Sequence, residues 1–178
     1  MKFVPLHVHS EYSLLDGLSK TSQISKRISD TETGTCALTD HGSVSGAVDF
    51  YQTLKASSQK PILGCELYIC KNGKATDRHP DNKDLLHQVV IAKNSEGWKD
   101  LLSLVSLSNH PDQFYYKPRI DFEQLEATAS KGNLISFSGH LGSHLANCIL
   151  EDQDAVYEAQ RLQDMFGRDN FYVEIQLI

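Results

Sequence analysis

Six short β-rich runs alternate with six helix-like stretches along the whole chain, and this alternation restricts the fold more than any other feature. The β-rich runs fall at residues 3–9, 35–39, 61–69, 87–92, 133–138 and 171–178. Helix-like stretches fill 20–30, 44–57, 95–108, 121–131, 142–150 and 153–166. Their periodicity supports the reading. Val44, Val48, Tyr51 and Leu54 or Lys55 recur at helical spacing, and Trp98, Leu101, Leu102 and Val105 form a second apolar stripe behind a predicted N-cap at Ser95. Strand–helix–strand units of this size favour a largely parallel sheet, either closed into a barrel or open. The polar stretch 71–86 reads as a surface loop, with His79 directed to solvent.

With 178 residues, 40% of them apolar, the chain can bury one sizeable core, so residues 1–178 are expected to form one domain. A net charge of −6 argues against a broad grip on nucleic acid and leaves room only for a local contact. The start MKFVPLHVHS lacks the apolar run of a signal peptide, and no apolar stretch is long enough to cross a bilayer. A cytoplasmic protein with no membrane association is expected. Cys36, Cys65, Cys70 and Cys148 form no C-x-x-C pair and sit mostly among apolar neighbours, as reduced core residues do.

In parallel α/β folds, functional sites gather at the carboxyl ends of strands, and here those ends carry metal-capable residues. The strand period of two puts His7 and His9 on one face, an arrangement that also occurs in ordinary cores. Asp16 follows in the next loop. The segment T-D-H-G places Asp40 and His41 at the second strand's exit, with Gly42 for a sharp turn; Asp40 alone could equally cap the next helix. Glu66 stands between Cys65 and Leu67, where a carboxylate is costly unless it is paired, metal-bound or on an edge facing water. The run I-S-F-S-G leads to His140, which taken alone suits an exposed loop. Nitrogen and oxygen donors without thiolate suit Zn²⁺, Mn²⁺ or Fe²⁺, and a carboxylate can bridge two ions. Such clusters promote phosphoester hydrolysis.

Taken in order, H-V-H-S-E-Y-S-L-L-D-G, A-L-T-D-H-G, G-C-E-L-Y, H-Q-V-V-I-A-K-N, F-Y-Y-K-P-R-I-D and F-Y-V-E-I-Q resemble the PHP (polymerase and histidinol phosphatase) domain found at the N-terminus of bacterial DNA polymerase III alpha subunits. The resemblance runs from about residue 3 to the last residue. It implies an α/β fold, a distorted seven-stranded (β/α) barrel holding up to three divalent metal ions. It implies that His7 and His9 bind one ion with Glu66, that Glu66 bridges to a second ion ligated by His140, and that Asp16 and His41 serve a third. His87 matches a family histidine near the cluster. A further ligand falls on Asn109 or His110, with His110 the better donor. The catalytic candidates are therefore His7, His9, His41, Glu66 and His140. The family's closing Asp-x-His does not occur before Ile178, so the barrel is expected to be incomplete at that end, as part of a longer polymerase subunit or as a short relative. On that basis the ion held by Glu66, His140 and His110 should be retained best.

Three functions compete on these residues. The first is metal-dependent hydrolysis at the 3′ end of DNA, a 3′–5′ exonuclease activity in proofreading. The second is a metal-stabilised scaffold that binds the remainder of the polymerase alpha subunit and the proofreading exonuclease subunit. The third is a small-molecule phosphatase of the histidinol phosphatase type. Tyr115, Tyr116, Lys117 and Arg119 could contact a nucleic acid strand, although such residues beside a proline also serve as loop anchors.

Overall fold

The structure, a computed structural model, describes residues 3–176. In chain order the elements are α1 Thr21–Asp30, β1 Thr35–Leu38, α2 Ala47–Ala56, β2 Lys60–Cys70, β3 Leu85–Ala92, α3 Ser95–Ser108, α4 Phe122–Ala129, β4 Leu134–Phe137, α5 His144–Leu150, α6 Ala155–Phe166 and β5 Phe171–Tyr172. Every helix-like stretch of the sequence is a helix. The strands form one sheet whose spatial order equals their chain order.

The sheet is mixed, not largely parallel. β1 runs parallel to β2 and β4 parallel to β5, but β3 is antiparallel to both of its neighbours. The cause lies in the connection from β2 to β3. Residues 71–84 contain one 3₁₀ turn, Pro80–Lys83, and no crossover helix, so β3 can only fold back beside β2. Among the described residues the expected α/β fold is present, with a five-stranded mixed sheet.

The first and last β-rich runs differ most from expectation. Residues 3–9 run along β1 without becoming a strand: Pro5 and Val8 carbonyls accept from the N–H groups of Ala37 and Thr39, both at 2.9 Å. Pro5 has no N–H to return, and Val8 N–H donates to Thr39 Oγ1, so the ladder stays one-sided. At the other end β5 is two residues long, and residues 177–178 of the predicted run lie outside the described residues. Past β5, Glu174 N–H donates to Ser138 Oγ at 2.9 Å, which turns its carboxylate toward His7. The two ends of the sheet meet there through side chains, beside a cavity of 640 Å³ lined by Pro5, Leu6, His7, Phe137 and Glu174.

Two cores flank the sheet. One packs Ile24, Ile28, Phe50 and Leu54 of α1 and α2 onto Cys36 and Leu38 of β1. The other packs Leu101, Leu104, Leu125, Leu162 and Phe166 of α3, α4 and α6 onto β2, β3 and β4. In α2 the buried stripe is Ala47, Phe50 and Leu54, one register away from expectation, and Val48 is 66% exposed. The helix begins at Ala47, after a turn that holds Val44, and its largest apolar side chain, Phe50, sets which face turns inward. In α3 the N-cap is Asn94, whose side chain accepts from Gly97 N–H at 2.8 Å, and Leu104 replaces Leu102 in the stripe. All four cysteines are buried and free.

Arg119 is the largest fully buried side chain, so it does not contact nucleic acid. Its Nε donates to the carbonyls of Ala75 and Gln113, and its terminal nitrogens donate to those of Asn82 and Asp77. One guanidinium therefore fastens two irregular segments that would otherwise leave carbonyls unpaired in the interior. Arg119→Met should lower the unfolding free energy by about 3 kcal/mol or more, with Arg119→Lys recovering only part. Urea titration checks this, and a loss below about 1 kcal/mol would contradict it.

Candidate metal centre

Glu66 is the focus of the site. It lies mid-strand in β2 with no exposed surface. Its backbone is pinned to the exit of β1: Glu66 N–H donates to Asp40 O at 3.0 Å and Gly42 N–H donates to Glu66 O at 2.8 Å. Gly42 has φ +58°, a conformation that lets the chain turn and leaves His41 over the carboxylate.

Five imidazoles converge on this one carboxylate. Oε2 lies 3.0 Å from His9 Nε2, 3.2 Å from His7 Nε2 and 3.2 Å from His41 Nδ1. Oε1 lies 2.9 Å from both His87 Nδ1 and His140 Nε2, which are 3.1 Å apart. Each carboxylate oxygen thus faces its own nest of nitrogens, the geometry of a bridging ligand. On the solvent side His41 Nε2 is 2.7 Å from Asp16 Oδ2, and Asp16 is 64% exposed.

The hydrogen bonds behind the rings assign their protons. Ser13 Oγ gives its hydrogen to Asp40 at 2.7 Å, so it accepts from His9 Nδ1 at 3.1 Å. Glu174 likewise accepts from His7 Nδ1 at 2.8 Å. Both histidines then turn lone-pair nitrogens inward, with the two Nε2 atoms 3.2 Å apart beside a carboxylate oxygen. His41 Nδ1, buried and without a hydrogen-bond partner, points to the same place. Electron pairs crowded in this way require a cation, so the donor set fits a divalent metal ion, with Glu174 and Ser13 orienting the ligands from behind. Asp40 was expected as a metal-capable residue or a helix cap. It is instead a buried brace, accepting from Ser10 N–H, Ser10 Oγ and Ser13 Oγ.

Without a metal ion, protons between these nitrogens and Glu66 take the place of that cation, and ionisation follows the same contacts. Burial alone would raise the Glu66 pKa, but hydrogen bonds from His7, His87 and His9 override it and hold the carboxyl far below the usual range. Burial opposes a charged His7, yet the bonds to Glu174 and Glu66 raise its pKa to about 9. Burial lowers His41 and His140. The bond from His41 lowers Asp16.

The structure brings together His7, His9, Asp16, His41, Glu66, His87 and His140. It does not bring His110 to them: that ring is 58% exposed and faces Asp112 at 3.5 Å. The side chain of Asn109 is used in capping α3, donating to Val105 O. His87 fills the place that His110 was expected to take, on the same side of Glu66 as His140. Sequence reasoning missed Glu174. Its signal was the one that singled out Glu66, a carboxylate inside an apolar run, here F-Y-V-E-I-Q.

An α/β fold that buries a carboxylate among five histidines defines the class, that of proteins with a histidine–carboxylate cluster able to hold divalent metal. The chain belongs to the PHP domain family, which it matches over residues 5–177. It is 40% identical over 178 residues to the DNA polymerase III subunit alpha of Borreliella burgdorferi, covering 98% of this chain and 15% of that protein. The same subunit of Chlamydia muridarum is 40% identical (99% and 14% covered), and that of Thermus aquaticus 37% (99% and 15%). The chain thus spans about 15% of the length of these relatives. In fold it is similar to a solved protein from Bifidobacterium adolescentis described as a "putative metal-dependent phosphoesterase", with TM-score 0.52 and 12% identity over 96% of this chain and 85% of that one.

Protein prepared without chelator should carry transition metal by elemental analysis, and His9→Ala should lower the content while His110→Ala leaves it unchanged. Equal loss in both variants would move His110 into the site. In chelator-treated protein the raised His7 pKa adds stability that is complete below pH 6.5 and is lost as pH rises through about 9. The lowered His41 and His140 act in the opposite direction, losing stability as pH falls below 6.5. The thermal midpoint of metal-free protein should therefore decline from neutral pH toward pH 9, and bound metal should remove that decline. A metal-free midpoint that is flat up to pH 9 would count against the proton assignment.

Proposed function

We propose that this PHP domain is a metal-dependent phosphodiesterase acting at the 3′ end of a DNA strand, a 3′–5′ exonuclease activity in the setting of DNA replication. The observation that carries the reading is Glu66, one buried carboxylate whose two oxygens each face a separate group of imidazole nitrogens. Divalent ions held there, up to three and drawn from Zn²⁺, Mn²⁺ or Fe²⁺, supply neutralisation of phosphoryl charge and an acidified water. His7, His9, His41, His87, His140 and Glu66 would hold them, with Glu174 and Ser13 fixing the rings of His7 and His9. Asp16, ionised and open to solvent against His41, would serve a third ion with that histidine.

The named relatives support placing this domain in a polymerase alpha subunit. Its protein partners are then the remainder of that subunit and the proofreading exonuclease subunit. A 5′-labelled single strand should be shortened only when Mn²⁺ or Zn²⁺ is present, and His41→Ala should reduce the rate by about 100-fold or more. Metal-loaded protein that leaves the strand intact would favour the scaffold. Turnover confined to phosphomonoesters would favour the small-molecule phosphatase.

A further inference from the structure

Beside the His87 side of the metal centre, the surface opens into a cleft of 340 Å³ lined by Lys71, Lys83, Lys117, His87, Gly142 and Asn147. Three ammonium groups around one cleft stand out in a chain of net charge −6. Lys71 is already paired, its Nζ 2.5 Å from Glu151 Oε1. Among the described residues Lys83 and Lys117 form no salt bridge, and the one acid lining the cleft is the exposed Asp84.

Both lysines are positioned by aromatic rings. Lys117 Nζ lies 4.4 Å from the Tyr68 ring centroid, and Lys83 Nζ lies 4.9 Å from that of Tyr116. Tyr68 links the cleft to the centre, with its ring edge-on to His87 at 4.9 Å and stacked with His41 at 5.9 Å. Lys117 therefore stands one ring away from two of the imidazoles on Glu66. Tyr116 has φ +61°, a left-handed conformation that costs a bulky residue about 1 kcal/mol or more. The surroundings enforce it. Tyr115 N–H donates to Lys117 O, and the Tyr115 ring is held between the Arg119 guanidinium and the Tyr116 ring. The result of this strain is a phenol ring 69% exposed beside Lys83.

We infer that this cleft is a second phosphate subsite: Lys83 and Lys117 bind the strand phosphate next to the one at the metal centre, and Tyr116 stacks on the adjoining base. The inference rests on the phosphodiesterase reading and deepens it. It assigns a single-stranded polynucleotide as the substrate class, because a phosphomonoester offers nothing to the lysines or to the ring.

The test uses the 178-residue chain loaded with metal, its content verified by elemental analysis, and a fluorescein-labelled oligothymidylate followed by anisotropy across a salt series. The Lys83→Gln/Lys117→Gln double variant should keep its metal, bind at least about tenfold more weakly, and show a log–log salt slope flatter by about 1.4, two contacts at ~0.7 each. Tyr116→Ala should lose a further factor of about five or more. Lys26→Gln/Lys99→Gln, the same charge change on exposed lysines elsewhere, should bind as wild type. Binding by the cleft variant with wild-type affinity and slope, or equal weakening in the control pair, overturns the subsite; so does a wild type that does not bind the strand. Hydrolysis of bis(p-nitrophenyl) phosphate, which carries a single phosphate, is measured separately on wild type. Its absence overturns the phosphodiesterase reading while the anisotropy still decides the cleft.

Discussion

A carboxylate with no exposed surface costs several kcal/mol to bury, and Glu66 sits in the middle of the longest strand, where water cannot reach it. Everything near it meets that cost. The exit of β1 bends over it through Gly42, β3 presents His87 from the neighbouring strand, and the extended segment before α1 lies against β1 so that His7 and His9 arrive from the other side. These contributions come from distant parts of the chain, so the site and the tertiary fold form together. Binding a cation there stabilises the fold by the same contacts.

The pieces that are not ligands explain why the ligands are ordered. Ser10 and Ser13 bind the buried Asp40, and that small polar network fixes the loop carrying His9 and Asp16 to the end of β1. Ser13 also accepts from His9 Nδ1 and from the backbone N–H of His41, so one hydroxyl orients the His9 ring and fixes the backbone that carries His41. Glu174 performs the same service for His7 from the far end of the described chain. Orientation from behind keeps inward nitrogens free for a cation, which the rings alone would not do.

How much of this could be read from the sequence depended on whether a residue's signal was local. The six helices were legible because helical periodicity is local, and Glu66 was legible because a carboxylate between Cys65 and Leu67 is chemically out of place. The β3 direction was also available: a polar loop without a helix at 71–84 already forbids a parallel return, but general α/β patterning outweighed it. The position of His110 was not available, because one extra residue in a loop carries no sign of which side chain will face inward. Arg119 was misplaced for a related reason. Beside two tyrosines and a lysine it resembles a strand-binding cation, and only the tertiary fold shows the four carbonyls that enclose it.

The proton assignments make the two sides of Glu66 unequal. On the Oε2 side, His7 and His9 donate from their outward nitrogens and His41 Nδ1 lacks a partner, so three inward nitrogens meet one carboxylate oxygen. On the Oε1 side, Gly142 N–H donates to His140 Nδ1 at 2.9 Å, which leaves the hydrogen on Nε2, pointed at Glu66. A cation on either side must displace a proton: the one on His140 Nε2, which also costs the backbone hydrogen bond from Gly142, and on the other side the one that the raised pKa of His7 keeps between its Nε2 and Glu66. What separates the two sides is the cost behind the ring: His7 and His9 are held from behind by Glu174 and Ser13 with inward nitrogens left free to exchange a proton for a cation, whereas His140 must give up a backbone hydrogen bond to do so. The expectation that the ion of Glu66, His140 and His110 is retained best leaned on His110, a side chain that points away from the site.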